Sequence, residues 1–139
     1  MKKFISISMA LPMLLACSSA MSMSLDDKNE TYAHFVSDKN LSQMDRVSGF
    51  KYRGFKQLSN DYLIISSVGS KDYLVEIKGS CFDFDKARTI EINGSSKLSI
   101  FQVGNSISAD DGRADIRRGC LIESIYPITK EQSSYLAGV

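Results

Sequence analysis

Residues Asp61 to Lys78 read DYLIISSVGSKDYLVEIK, two apolar alternations divided by a Gly-Ser pair. Alternation with a period of two marks a strand with one buried face. The runs Asp61 to Val68 and Asp72 to Lys78 flank Gly69-Ser70, which predicts a hairpin closed by a II′ turn, with glycine where φ must be positive. In the second run Tyr73, Val75 and Ile77 share one face. Asp72, Glu76 and Lys78 share the other with Leu74, so one side packs a core and the other faces mainly solvent.

The same rhythm continues outward. Arg88 to Ile92 (RTIEI) turns Ile90 and Ile92 inward and Thr89 and Glu91 outward. Asn93-Gly94, lengthened by Ser95 and Ser96, predicts a second hairpin to Leu98 to Val103 (LSIFQV). Cys81 to Ala87 (CFDFDKA) fits a helical turn or a loop. Asp110-Asp111-Gly112 and Arg118-Gly119 bracket a short run from Ala114 to Arg117 and precede Cys120 to Tyr126 (CLIESIY). Some seven short strands at this spacing predict a mainly β fold, a small antiparallel barrel or sandwich over residues 47–128. Residues 129–139 are expected to form a C-terminal tail.

The chain has 139 residues, which suits one domain and excludes a two-domain enzyme. Seventeen basic residues face 16 acidic ones, so no basic stripe for nucleic acid is expected.

Met1 to Cys17 reads MKKFISISMALPMLLAC: two lysines, twelve mostly apolar residues from Phe4 to Leu15, a small residue and a cysteine. That is a signal-peptide layout. A spanning helix needs about 20 apolar residues, so this run, broken by Pro12, is too short to stay as one. Leu14-Leu15-Ala16-Cys17 resembles the bacterial lipobox, which implies a signal peptide over 1–16 and acylation of Cys17 by diacylglycerol and a third chain such as palmitate. Ser18 rather than Asp after the cysteine implies the outer membrane, with the domain facing the periplasm. The alternative is ordinary cleavage after Ala20 or Ser22, giving a soluble periplasmic or secreted protein.

Lipidation of Cys17 would leave Cys81 and Cys120, 39 positions apart, as a pair. In an oxidising compartment a disulfide is expected. Closing a loop of about 40 residues stabilises by roughly 4 kcal/mol in the chain-entropy treatment. Two reduced buried cysteines or a metal pair stay open as alternatives, although a metal site needs more ligands than two.

Residues 17–46, with Ser18, Ser19, Ser22, Ser24, Asp26, Asp27, Lys28 and Asn29, read as a lipidated N-terminus and polar tether, with a short helix allowed around Leu41 to Arg46. The only histidine, His34, falls there, where fixed acid–base geometry is not expected.

Three stretches carry a family resemblance: YLVEIKGSC from Tyr73, ARTIEI from Ala87 and RRGCLIESIYPI from Arg117, preceded by FKQLSNDYLII from Phe55. Together they resemble an uncharacterised domain-of-unknown-function family of small secreted or lipoprotein domains of proteobacteria, over about Val47 to Ile128. The resemblance implies a strand ending in one cysteine and a later strand beginning with its partner, matching Cys81 and Cys120. The aromatic before the first hairpin, frequently Trp in such sequences, is Phe55 here. No catalytic residues come with the family.

Chemical motifs are few. Asp83-Phe84-Asp85 has the spacing that opens a calcium loop but lacks the glycine and closing glutamate. With His34 placed in a tether, no Ser-His or Cys-His pair is expected. No phosphate loop, dinucleotide glycine pattern or HExxH occurs, so no cofactor and no metal are expected. Arg113, Arg117 and Arg118, with Lys130 and Tyr126, form a candidate basic-aromatic patch for an acidic glycan or protein partner.

These readings favour a non-enzymatic envelope interaction or maintenance module, attached to the membrane through its lipid. One alternative is an inhibitor of a periplasmic or host hydrolase, inserting a loop from Asn105 to Arg113. The other is a carboxylate-based hydrolase using Asp83, Asp85, Asp110 or Asp115.

Overall fold

The computed structural model describes residues 25–78, 87–93, 101–110 and 120–139. In chain order these hold helix α1 (Leu25–Asp38), strands β1 (Arg46–Val47), β2 (Tyr52–Gln57), β3 (Tyr62–Ser67), β4 (Lys71–Lys78), β5 (Thr89–Asn93), β6 (Phe101–Gln102), β7 (Ser106–Asp110) and β8 (Cys120–Ile128), and helix α2 (Lys130–Ala137).

Six strands form one antiparallel sheet in the order β2-β3-β4-β8-β7-β5, and β1 pairs with β6 in a separate ribbon. The sheet curls until its edge strands β2 and β5 approach each other. Across that seam the Thr89 hydroxyl donates to the Tyr52 hydroxyl at 3.4 Å. The result is a nearly closed barrel, mainly β as the alternation predicts.

The barrel interior holds Leu63, Ile65, Tyr73, Val75, Ile77, Ile90, Ile107, Ile122 and Ile125. Tyr73, Val75 and Ile77 therefore share the inner face, as expected, and Ile90 and Ile92 also turn inward. Phe50 and Phe101 join them, stacked at 4.8 Å between ring centroids, and both meet the Tyr73 ring edge-on. Phe101 is fully buried. The β1–β6 ribbon brings it there, pairing Val47 with Phe101.

The outer face of β3 and β4 departs from expectation, because it is covered rather than solvated. Ile64 and Leu74 pair across the strands, and with Tyr62, Tyr126 and Ile128 they pack against Tyr32 and Phe35 of α1 and Leu136 of α2. Both central strands are thus buried on two faces.

Three corrections concern the elements themselves. Where a polar tether is expected, residues 25–38 form α1, with Tyr32 only 1% exposed. Its apolar stripe is narrow, Tyr32, Phe35 and Val36, at the i, i+3, i+4 spacing of one helical face. The helix stops where Asn40 takes φ 49°, while the Leu41 amide donates to Val36 and the Asn40 amide to Ser37. That is a Schellman cap, with Leu41 folding back on the last turn.

Where a tail is expected, residues 130–137 form α2. The Thr129 hydroxyl accepts from the Gln132 amide, and the Gln132 side chain accepts from the Thr129 amide, a capping box. Such a cap contributes about 1 kcal/mol to helix stability.

The turn expected at Asn93-Gly94 and the start of its return strand, residues 94–100, lie outside the described residues, and the pairings described are others. Strand β5 pairs with β7, Thr89 opposite Asp110 and Asn93 opposite Ser106, while β6 leaves for the ribbon. A tight turn from Gln102 to Asn105, with Gly104 at φ 89° and the Asn105 side chain accepting from the Gln102 amide, sends the chain back into the sheet. Residues 105–110 are consequently not an inhibitory loop: Asn105 and Ile107 are buried, and 106–110 are strand. The β3–β4 turn also differs in detail. Gly69 and Ser70 both have positive φ, the I′ rather than II′ signature, and the register Ser67–Lys71 leaves Val68 in the loop as well.

Candidate functional site

The sequence-derived candidates disperse. Cys17, Cys81, Asp83, Asp85, Arg113, Asp115, Arg117 and Arg118 lie outside the described residues. Cys120 opens β8, 4% exposed and opposite Ile107. Asp110 closes β7, its backbone paired with Thr89. Tyr126 is half-buried on the outer face, opposite Leu74 and against the helix-covered cluster. His34 sits on α1 rather than in a tether, exposed and 3.6 Å from Glu30 one turn earlier.

The described residues gather polar chemistry in three places on the outer face. The first is buried. Asp72, directed outward from β4, is 5% exposed, and Lys130 at the start of α2 places its ammonium 3.0 Å from both carboxylate oxygens. Burial pushes the Asp72 carboxyl up, but hydrogen bonds from Ser66, Lys130 and Ser133 together with the Lys130 charge outweigh it and hold the carboxyl below its ordinary value. The pair is a bolt that fixes α2 to the sheet.

The second is a carboxylate group at the other end of β4. Glu76 lies opposite Tyr62 on one side and Ser124 on the other. A register shift just after it leaves Glu123 as the extra residue of β8, a β-bulge that sets a second carboxylate nearby. Burial and the charge of Glu123 push the Glu76 carboxyl up, against a lowering hydrogen bond from Ser124, and Asp61 adds to the rise. The Tyr62 hydroxyl is pushed well above its usual value, first by burial and then by Glu76 and its neighbours. Asp61 is held by α1, since the Asn29 side chain donates to its carboxylate at 3.1 Å and accepts from its amide at 3.3 Å. No cluster of three or more metal-ligating side chains occurs among the described residues.

The third is a cleft of about 630 Å³ between α1 and α2, lined by Thr31, His34, Phe35, Asp38 and Lys39 from one helix and Glu131, Gln132, Tyr135 and Leu136 from the other. That volume lies within the range of small-ligand sites. Tyr135 stacks on Phe35, centroids 5.7 Å apart and planes 22° from parallel, yet the residue is 63% exposed. An exposed aromatic ring held in place by a buried one is preorganised for contact, because little side-chain entropy remains to be lost. Of the lysines that tie the helices down, Lys130 pairs with Asp72, Lys28 with the Val139 carbonyl at 3.3 Å and Lys56 with the Ala137 carbonyl at 3.1 Å.

Sequence reasoning missed this cleft because its two walls are separated by about a hundred positions and neither helix was expected. The readable signals were Thr129-Lys-Glu-Gln132 as a capping box and Asn40 as a helix stop.

A family model described as a family of unknown function matches residues 1–137. No curated protein and no solved structure matches the chain.

Proposed function

Since the chain belongs to that family, DUF6491, we propose that it is a lipid-anchored, non-enzymatic interaction or maintenance module of the bacterial cell envelope, on the outer membrane and facing the periplasm. The observation that carries the contact role is the α1–α2 cleft, where an exposed Tyr135 is held by Phe35 within a rim of charged and amide side chains. The attachment rests on the lysine-led apolar run ending at Cys17. Among the described residues no helix is long and apolar enough to cross a membrane.

The proposal includes a Cys81–Cys120 bridge. Support comes from the burial of Cys120 at the start of β8. The register Lys78–Leu121 adds to it, because Cys120 lies beside the end of β4 and Cys81 follows Lys78 by only three residues.

The experiment is a pull-down from envelope extract with the full-length lipidated protein, an anchor-free form and the cleft variant Tyr135→Ala. A reproducible partner retained by the first two and lost with the cleft variant is the expected result. A partner indifferent to Tyr135→Ala, or none at any salt concentration, would remove the cleft from the reading.

A further inference from the structure

The cleft's chemistry selects among ligand classes. Its rim carries Asp38 and Glu131 as carboxylates and Lys39 as a cation, with His34, Thr31 and the Gln132 amide between them. The carbonyl oxygen of Gln132 is already used by the Thr129 amide at 2.9 Å, so its NH₂ group is the end left to donate. An anion would meet Asp38 and Glu131, and a cation would meet Lys39. A neutral molecule bearing many hydroxyl groups meets no such penalty, because each hydroxyl both donates and accepts. Its hydroxyls donate hydrogen bonds to the carboxylates, while the ammonium and amide donate to its oxygens.

The floor points the same way. Tyr135 offers an open ring beside this mixed rim, with Phe35 stacked beneath it. A pyranose has a patch of C–H groups on its flat side and hydroxyls around its edge. Laid on Tyr135, it would bury the C–H face on the aromatic ring and turn its edge toward Asp38, Lys39, Glu131 and Gln132. We infer that the α1–α2 cleft is a binding site for an uncharged oligosaccharide, with Tyr135 as the stacking platform. This rests on the cleft being the contact surface, and it names the class of molecule that surface takes.

The test titrates the full chain with N-acetylhexosamine oligosaccharides of increasing length, alongside an oligolysine peptide and a polyanionic glycan of similar size. Heat and tyrosine emission are both followed; the chain has no Trp, so its intrinsic emission comes from tyrosine. Saturable binding of the neutral sugars is expected. It should weaken about three- to tenfold in Tyr135→Ala, the size of one lost aromatic contact, and survive in Tyr135→Phe, which keeps the ring. Glu131→Gln should weaken it less. Both Tyr135 variants should melt like the parent protein, since the residue is exposed.

Preference for either charged probe would overturn the inference, as would neutral-sugar binding unaffected by Tyr135→Ala. Absence of any sugar binding, with a protein partner still lost on Tyr135→Ala in the envelope pull-down, would overturn the sugar while leaving the contact surface standing.

Discussion

Lys130 closes on Asp72 across 58 positions of sequence, and both carboxylate oxygens lie 3.0 Å from its ammonium. The carboxylate is almost fully buried while the lysine side chain remains 51% exposed, so the two ends of the pair respond differently to removal.

Lys130→Ala strands a buried carboxylate with only Ser66 and Ser133 to hold it. A loss of about 1–3 kcal/mol is expected in urea unfolding, the cost of an under-satisfied buried group. Asp72→Asn, which keeps a hydrogen-bonding side chain and frees the lysine to solvent, should cost less. Equal losses in the two variants would show that the pair does not act as described.

Acid should work on Asp72 and Glu76 in opposite directions. The folded-state value of Asp72 is depressed, so its contribution is present above its unfolded value and lost as pH falls through the folded one. That of Glu76 is raised, so its contribution is present below its unfolded value and lost as pH rises through the folded one. Glu76→Gln should therefore stabilise at neutral pH and leave stability nearly unchanged in mild acid. Thermal melts of parent and variant between pH 4 and 8 check this, and parallel curves would contradict it.

Phe101 ties the small ribbon to the barrel interior through its contacts with Phe50 and Tyr73. Phe101→Ala should cost about 3–5 kcal/mol, as for other buried aromatics. Tyr135→Ala should stay close to the parent in the same denaturant series, because that residue is exposed.

On the proposed cysteine chemistry, Cys17→Ser should release an unacylated protein from the membrane fraction, and intact mass of the mature chain should carry a lipid increment starting at Cys17. A mature chain beginning at Met21 or Met23 without lipid would show ordinary cleavage. Replacing Cys81 and Cys120 together by alanine should cost about 2–5 kcal/mol. Non-reducing peptide maps of the parent should contain one linked pair holding both.

The central hairpin was legible because each residue from Tyr62 to Ile77 needs only its neighbours to declare its face. Inner faces of β4 and β5 follow the same rule. What alternation could not convey is what covers the outer face: Leu74 reads as a lone apolar residue among charges, yet it is fully buried beneath the helices. Helix α1 was hidden by its narrow stripe, since its fourteen residues place only Tyr32, Phe35 and Val36 on one apolar face and otherwise read compositionally as a spacer. The pairing of β5 with β7 was hidden because a turn signal is local and names no distant partner. The cleft is a property of two helices lying side by side and has no local signature.

Strand β4 has β3 on one side and, on the other, β8, which begins 42 positions after β4 ends. During synthesis the first hairpin therefore exists for a time with an open, apolar edge. Such an edge is a template for pairing with another chain, and non-local closure is slow. Survival of the nascent protein then depends on its last 20 residues arriving before a neighbouring molecule does. A chain cut after Gly119 should accumulate as aggregate rather than as a smaller folded domain, and supplying residues 120–139 as a separate peptide during refolding should restore solubility. Soluble, cooperatively melting truncated protein would refute this order of events.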